Sequence, residues 1–293
     1  MVERPQISRI EVVINTASGG ATPAAAEEVR AILNKRGLSA NIQVAGGADV
    51  AELLQAAIDA RPDLLIVLAG DGTARSAAEL AGPDGPLLAP LAGGTMNMLP
   101  HAVYGAVPWP EALAEVLDRG VEKRIGGGRI DGRSFLVAAI VGAPALWAPA
   151  REAVREGKLG LAMARVRRAW GRAFSGRLRY SIDGGLRGKA EALAFLCPLA
   201  SKALDDREQA LEAAVIDARN VAEAARIGFN ALIDDWRKDP AVKALACREA
   251  RIWAAGRVPG VLDGEPVWLP AKASVDWRPN VARLLAPPEE HGI

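Results

Sequence analysis

The sequence predicts an α/β domain built on a parallel sheet, followed by a mainly β, sandwich-like domain. Three observations carry that reading. Residues 64–68, Leu-Leu-Ile-Val-Leu, have the length and branching of a strand buried on both faces, as in a parallel sheet covered by helices. Strand-like and amphipathic helix-like segments alternate through the first third of the chain, the order that crossover connections produce. Beyond residue 121 strand-like runs follow one another, several joined by hairpin signals such as Asp131-Gly132 and Asp183-Gly184.

Taken in order, residues 10–14 read as a buried strand, 15–22 as a polar turn and 23–35 as an amphipathic helix, with Pro23 in its first turn and Gly37 at its stop. A strand at 41–44 leads through Gly46-Gly47 to a helix at 49–60, whose apolar side carries Val50, Leu53, Leu54, Ala57 and Ile58. The strand at 64–68 runs into Gly70-Asp71-Gly72-Thr73, where Thr73 is placed to cap a helix over 74–81. A short strand at 87–91 ends in a second glycine turn, 92–97, and a helix at 111–117 closes the first domain. The second region reads as strands at 121–130, 133–141, 177–182, 189–196, 211–216, 242–253, 257–262 and 271–277, interrupted by helical stretches at 158–174 and 220–236. The expected division is therefore 1–120, 121–286 and a disordered tail at 287–293.

The 293 residues suffice for two domains of roughly 100 to 200 residues. Lys and Arg number 36 against 35 for Asp and Glu, a balance that gives no reason to expect nucleic acid as a partner. Cys197 and Cys247 stand far apart without ligand-like neighbours, which points to reduced thiols. The opening MVERPQISRIEVVIN has no long apolar core, so we expect no secretory signal and a cytoplasmic protein. The uncharged stretches at 86–110 and 134–150 are broken by Pro and Gly and do not read as membrane spans.

Open α/β sheets place ligand crevices outside the C-terminal ends of their strands, so Asp71 is the first residue to suspect of chemistry. Glycine turns after buried strands bind phosphate through exposed N–H groups and helix N-termini. The competing reading is a tight turn without a ligand. Two such turns, each with a hydroxyl residue beside its glycines, favour a nucleotide. If the two strands are neighbours, Asp71, Thr73, Gly94, Thr95 and Asn97 converge. Neither turn is a Walker A loop or a GxGxxG fingerprint. Without a P-loop lysine, phosphoryl transfer needs a metal to neutralise phosphate oxygens, and Asp71 is placed to hold Mg²⁺ directly or through water. Asp71 merely ordering its turn is the alternative.

GDGT at 70–73, GGTMN at 93–97, VVINTASGG at 12–20 and DGE at 263–265 together resemble the diacylglycerol kinase catalytic-domain family, which includes bacterial lipid kinases and sphingosine kinases and is related in fold to NAD kinases. The resemblance implies an ATP-dependent kinase that phosphorylates a hydroxyl of a diacylglycerol-like or sphingoid-like lipid, with ATP and Mg²⁺ between an α/β and a β domain. It implies that Asn15, Gly70, Gly72, Thr73, Gly94, Thr95 and Asn97, with Asp71, line the ATP site. Glu265 would be the base that takes the hydroxyl proton; the competing reading of Asp263-Gly264-Glu265 is an ordinary hairpin turn.

The chain departs from the family pattern at several positions. GGDGT is AGDGT here, Asn-Glu after it is Arg75-Ser76, Thr16 stands for a Pro, Gly126 for an Asp, and Arg207 for the glycine of a Leu-Asp-Asp-Gly motif. Asp206 is the metal candidate left in that last motif. A basic run from Lys158 to Arg179, containing Trp170, reads either as a helix resting on anionic lipid at the inner membrane face or as a solvated helix face. Two alternatives accompany the lipid-kinase reading: a kinase for a soluble acceptor, as in NAD kinases, and a nucleotide- or lipid-binding regulator without catalysis.

Overall fold

The computed structural model describes residues 4–47, 49–142, 177–201, 204, 209–217 and 242–288. The expected helices at 158–174 and 220–236, the basic run up to Gly176, Asp206, Arg207 and most of the tail lie outside the described residues. The chain divides into two compact units, one formed by residues up to Gly126 together with those from Pro279, the other by Gly127–Arg278.

The first unit is a parallel α/β layer. Its strands are β1 (Ile10–Asn15), β2 (Ala40–Ala45), β3 (Leu64–Ala69) and β4 (Leu87–Ala92), in the order β2-β1-β3-β4. Every residue of β1 and β3 is buried, as the unbroken apolar run at 64–68 predicts. Between them lie α1 (Ala25–Asn34), α2 (Val50–Asp59) and α3 (Asp71–Ala81), followed by α4 (Met98–Tyr104) and α5 (Trp109–Arg119). Alternate strand residues Ile10, Val12, Ile14, Leu64, Ile66 and Leu68 share one core with Val29 and Leu33 of α1 and Leu113 and Val116 of α5. Helices α2 and α3 pack against each other and against β1 and β3 respectively.

The segment before β1 is fastened to the start of β3 by Asp63. Its Oδ2 accepts the Arg9 N–H, the Ser8 N–H and the Ser8 hydroxyl, each at 2.8 Å. These bonds, the Arg9 amide first, hold the Asp63 carboxyl below its ordinary range. A depressed folded-state value means the stabilisation is complete above the unfolded pKa, about 3.9, and is lost as pH falls through the lower folded value. We therefore expect Asp63→Asn to lower the urea midpoint at pH 6, and the gap from wild type to narrow once pH drops below about 4. A gap that stays constant down to pH 2 would contradict this assignment.

The expected boundary at 120/121, with 121–286 as one contiguous region, differs from the structure at its far end. Strand β5 (Val121–Ile130) leaves the first unit and the long β16 (Lys272–Ala286) returns to it. Leu284 pairs in parallel with Leu88 of β4, Leu285 joins the core, and the buried Tyr104 hydroxyl donates to the Leu285 carbonyl at 3.1 Å. Arg283 reinforces the return, its guanidinium bridging to both carboxylate oxygens of Glu122 at 2.9 and 2.6 Å. Apolar pairing outweighs sequence proximity here.

The second unit is a two-sheet β structure. Strands β7 (Ala138–Gly142), β10 (Ala192–Leu196), β11 (Leu211–Ile216), β12 (Val242–Cys247), β14 (Val258–Leu262) and β15 (Glu265–Leu269) form one antiparallel sheet in the order β12-β11-β10-β7-β14-β15. The first half of β16, with β13 (Glu249–Trp253), β8 (Leu178–Ile182) and β9 (Leu186–Ala190), forms the other, and β6 (Arg133–Phe135) hairpins with β5 beside it. One core draws Phe135, Leu178, Ile182, Ile252 and Val275 from one sheet and Val141, Leu193, Phe195 and Leu211 from the other. The Phe135 ring lies over Gly128, where an added Cβ would come within 1.9 Å of it.

Three segments expected as single strands are each broken. Residues 133–141 form β6 and β7, 189–196 end β9 and form β10, and 242–253 form β12 and β13. In each case the break is a corner at which the chain passes from one sheet to the other. Both thiols, Cys197 and Cys247, are free and buried, and burial pushes each up, Cys247 to about 12.

Candidate active site

The order β2-β1-β3-β4 reverses direction between β1 and β3, because the chain goes outward to β2 and then crosses back over β1. Such a reversal leaves a crevice outside the strands' C-terminal ends, where the connections depart to opposite faces. Three loops meet there: residues 15–20 after β1, Gly70 after β3, and 93–97 after β4. Strands β3 and β4 are neighbours in register from Leu64↔Leu87 to Ala69↔Ala92, so the two glycine turns do converge.

The loops touch through glycines. A Cβ on Gly94 would stand 2.5 Å from the Gly70 Cα, and one on Gly93 would stand 2.7 Å from the Ala69 nitrogen. The first loop closes on the third through a bond from the Gly20 N–H to the Gly93 carbonyl at 3.1 Å. Ser18 accepts the Gly70 N–H on its hydroxyl at 3.1 Å, and Asn97, held at φ +51°, accepts the Gly94 N–H at 2.8 Å. Gly70 and Gly94 thus serve by close backbone approach, while their own amides are engaged within the protein. In the first turn of α3 the Asp71, Gly72 and Thr73 amides have no intrahelical acceptor.

The helix begins earlier than expected. Gly70 is its N-cap, the Ala74 N–H already donates to the Gly70 carbonyl at 3.1 Å, and Thr73 therefore lies inside the first turn instead of capping it. The extended backbone of Gly70, ψ 170°, lets the helix start directly at the strand end. The Thr73 hydroxyl accepts from Asn15 Nδ2 at 3.2 Å, and Asn15 Oδ1 accepts the Ala17 N–H at 3.1 Å, so the buried Asn15 ties the first loop to α3. Thr16 uses its hydroxyl on the Ala45 carbonyl at 2.9 Å, fastening the same loop to the end of β2.

Asp71 is 8 % exposed at the first position of α3, and its Oδ1 accepts the Leu99 N–H at 3.0 Å. Leu99 lies in the first turn of α4, whose amides lack helical partners. The carboxylate therefore joins two helix N-termini, a position that favours its charge. Thr95 is exposed in the third loop. Among the described residues no group of three or more His, Cys, Asp or Glu side chains comes together as a metal cage.

By sequence, residues 9–130 match the model of the diacylglycerol kinase catalytic domain. The matched segment contains β1 to β4 and all three loops of the crevice. No curated protein matches the chain. Among solved structures, a diacylglycerol kinase from Bacillus anthracis str. Sterne aligns over 97 % of this chain and 98 % of its own, with 14 % identity and a TM-score of 0.66. A further structure from that organism reaches a TM-score of 0.72 at 15 % identity, over 97 % of this chain and 98 % of its own. Yeast NADH kinase, complexed with NADH, aligns over 98 % of this chain and 85 % of its own, with 14 % identity and a TM-score of 0.51. At these identities the likeness is one of fold.

Around the strand-end loops the structure gathers Asn15, Gly70, Asp71, Gly72, Thr73, Gly94, Thr95 and Asn97, all in the first unit. Glu265 is in the second unit, exposed at the start of β15. Arg75 lies one turn along α3 from Asp71 and is partly buried. Sequence reasoning missed Ser18, Gly20 and Leu99, whose parts are tertiary. It also missed Asp263, which is 2 % exposed and accepts three backbone amides.

Proposed function

We propose that the protein transfers the γ-phosphoryl group of ATP to a hydroxyl of a diacylglycerol-like or sphingoid-like lipid. The observation that carries this reading is the convergence of three strand-end loops on the buried Asp71, within a segment of the diacylglycerol kinase catalytic-domain family. The residues present fit a magnesium–nucleotide pair. A phosphate chain is met by the amides at the start of α3 and by backbone that glycine keeps open at 93 and 94. Mg²⁺ is usually held by one or two carboxylates with phosphate and water completing its shell, which suits the Asp71 carboxylate.

Bound ATP–Mg²⁺ supplies the phosphoryl group and a cation that neutralises its oxygens. Asp71 would hold that cation, and Thr73, Thr95 and Asn97 would orient the phosphates. Glu265 accepts the proton of the lipid hydroxyl as its oxygen forms the new bond to phosphorus, the bond to the leaving ADP oxygen breaking in the same displacement. A lipid acceptor is supported by the second unit, where Ala194, Ala214 and Val242, with partly buried Ile140, Leu196 and Ile216, form an apolar cluster separate from the sandwich core. Among the described residues no helix is long and apolar enough to cross a membrane.

The test is transfer of labelled γ-phosphate to a panel holding diacylglycerol, ceramide and sphingosine in mixed micelles, with NAD as the soluble acceptor. We expect label in a lipid, and loss of that label in Glu265→Gln. Label in NAD alone would replace the lipid reading with a soluble-acceptor kinase, and tight ATP binding without transfer to any acceptor would identify a regulator.

A further inference from the structure

We infer that Asp263 is a positioning residue that holds the strand end bearing Glu265, an inference that rests on the role of Glu265 proposed above. The chain contains the Asp-Gly hairpin signature three times, and all three aspartates lie in the left-handed region, at φ 47° for Asp131, 47° for Asp183 and 46° for Asp263. Turn formation needs no more than this pair of residue types. Asp131 and Asp183 are exposed, and although Asp183 Oδ1 also accepts two successive amides, those of Arg248 and Glu249 at 3.0 and 2.8 Å, it does so at the surface. Asp263 is 2 % exposed.

What buries Asp263 is a run of three successive amides. Its Oδ2 accepts the Leu136 N–H at 2.7 Å, and its Oδ1 accepts the Val137 and Ala138 N–H groups, both at 2.9 Å. Its own N–H donates to the Ala138 carbonyl at 2.9 Å. Consecutive amides aimed at one carboxylate form an anion nest, and bonds to an ionised acceptor are the strong kind. The nest is the corner where the chain passes from β6 to β7, and it is braced from behind by the Cys197 N–H, which donates to the Val137 carbonyl at 2.9 Å. Two residues on from this anchor, across Gly264 at φ +85°, stands the exposed Glu265. The carboxylate thus does more than close a turn. It fixes the turn to the sandwich, and with it the place of the proton acceptor, where an error of 1 Å costs about 10²-fold in rate.

The test is a double-mutant cycle of Asp263→Asn and Glu265→Gln, assayed with ATP and short-chain diacylglycerol in mixed micelles, beside hydrogen exchange at Leu136 to Ala138. In Asp263→Asn we expect faster exchange at those amides, a kcat lowered by about 10²-fold, and a KM for ATP within about twofold of wild type, because the ATP residues lie in the first unit. In the Glu265→Gln background we expect Asp263→Asn to cost nothing further, the signature of action through Glu265. Equal losses in both backgrounds, or an unchanged kcat, would overturn the inference. Should Asp263→Asn not fold, Gly264→Ala strains the same turn while leaving the carboxylate bonds in place, and it must show the same non-additivity. Full activity in Glu265→Gln alone would remove the role of Glu265 itself, a result separate from the outcome of the cycle.

Discussion

Asp71→Asn is expected to lower kcat by about 10²–10³-fold, the usual cost of removing one preorganised electrostatic group, while leaving thermal stability near that of wild type. The prediction follows from the two duties of this side chain. Its Oδ1 accepts the Leu99 N–H at 3.0 Å and so satisfies an amide at the start of α4. An asparagine carbonyl takes over that bond but brings no charge to a cation. Asp71→Ala removes both, and should add a destabilisation of about 1–2 kcal/mol, as loss of a helix-terminal acceptor does. Steady-state kinetics with a thermal melt separates the two duties. Wild-type turnover in Asp71→Asn would reduce Asp71 to a structural residue.

The second large effect is expected at a glycine other than the one beside the carboxylate. Gly94→Ala would bring a Cβ within 2.5 Å of the Gly70 Cα, a backbone atom with no rotamer to yield. The loops must part, which loosens the start of α3 and its first-turn amides. We expect ATP affinity to fall at least about tenfold and stability to drop by about 1–3 kcal/mol, the range for overpacking. Gly70→Ala is the control for the stability term. Its Cβ would meet nothing nearer than 3.7 Å, and its φ of −80° is open to any residue. Calorimetric titration with ATP and a melt of each variant make the comparison. Equal stability loss in the two would mean that loop contact is not what Gly94 supplies.

How much of this was legible in the sequence depends on whether a signal is local. The buried run at 64–68 and the glycines at 70–72 and 93–94 announce a strand-end site, because apolar length and missing side chains are read residue by residue. The corners near Glu191 and Arg248 were invisible, since both halves of each bend carry strand-like residues and only the sandwich decides which sheet receives them. Helix α4 was missed because it is short and holds Pro100, which is harmless in a first turn where no amide bond is lost. Asp263 reads in sequence as one more solvated turn carboxylate. Its burial is created by residues 125 to 127 positions away.

The return of β16 bears on how the protein is made. Leu284 and Leu285 complete the sheet and core of the first unit, yet they are synthesised only after the whole second unit. During translation β4 waits without that partner, and the Tyr104 hydroxyl waits without its acceptor, so the half of the molecule that emerges first matures last. Contacts of such long sequence separation slow folding. A chain that stops short of β16 therefore lacks the strand that completes the core of the first unit.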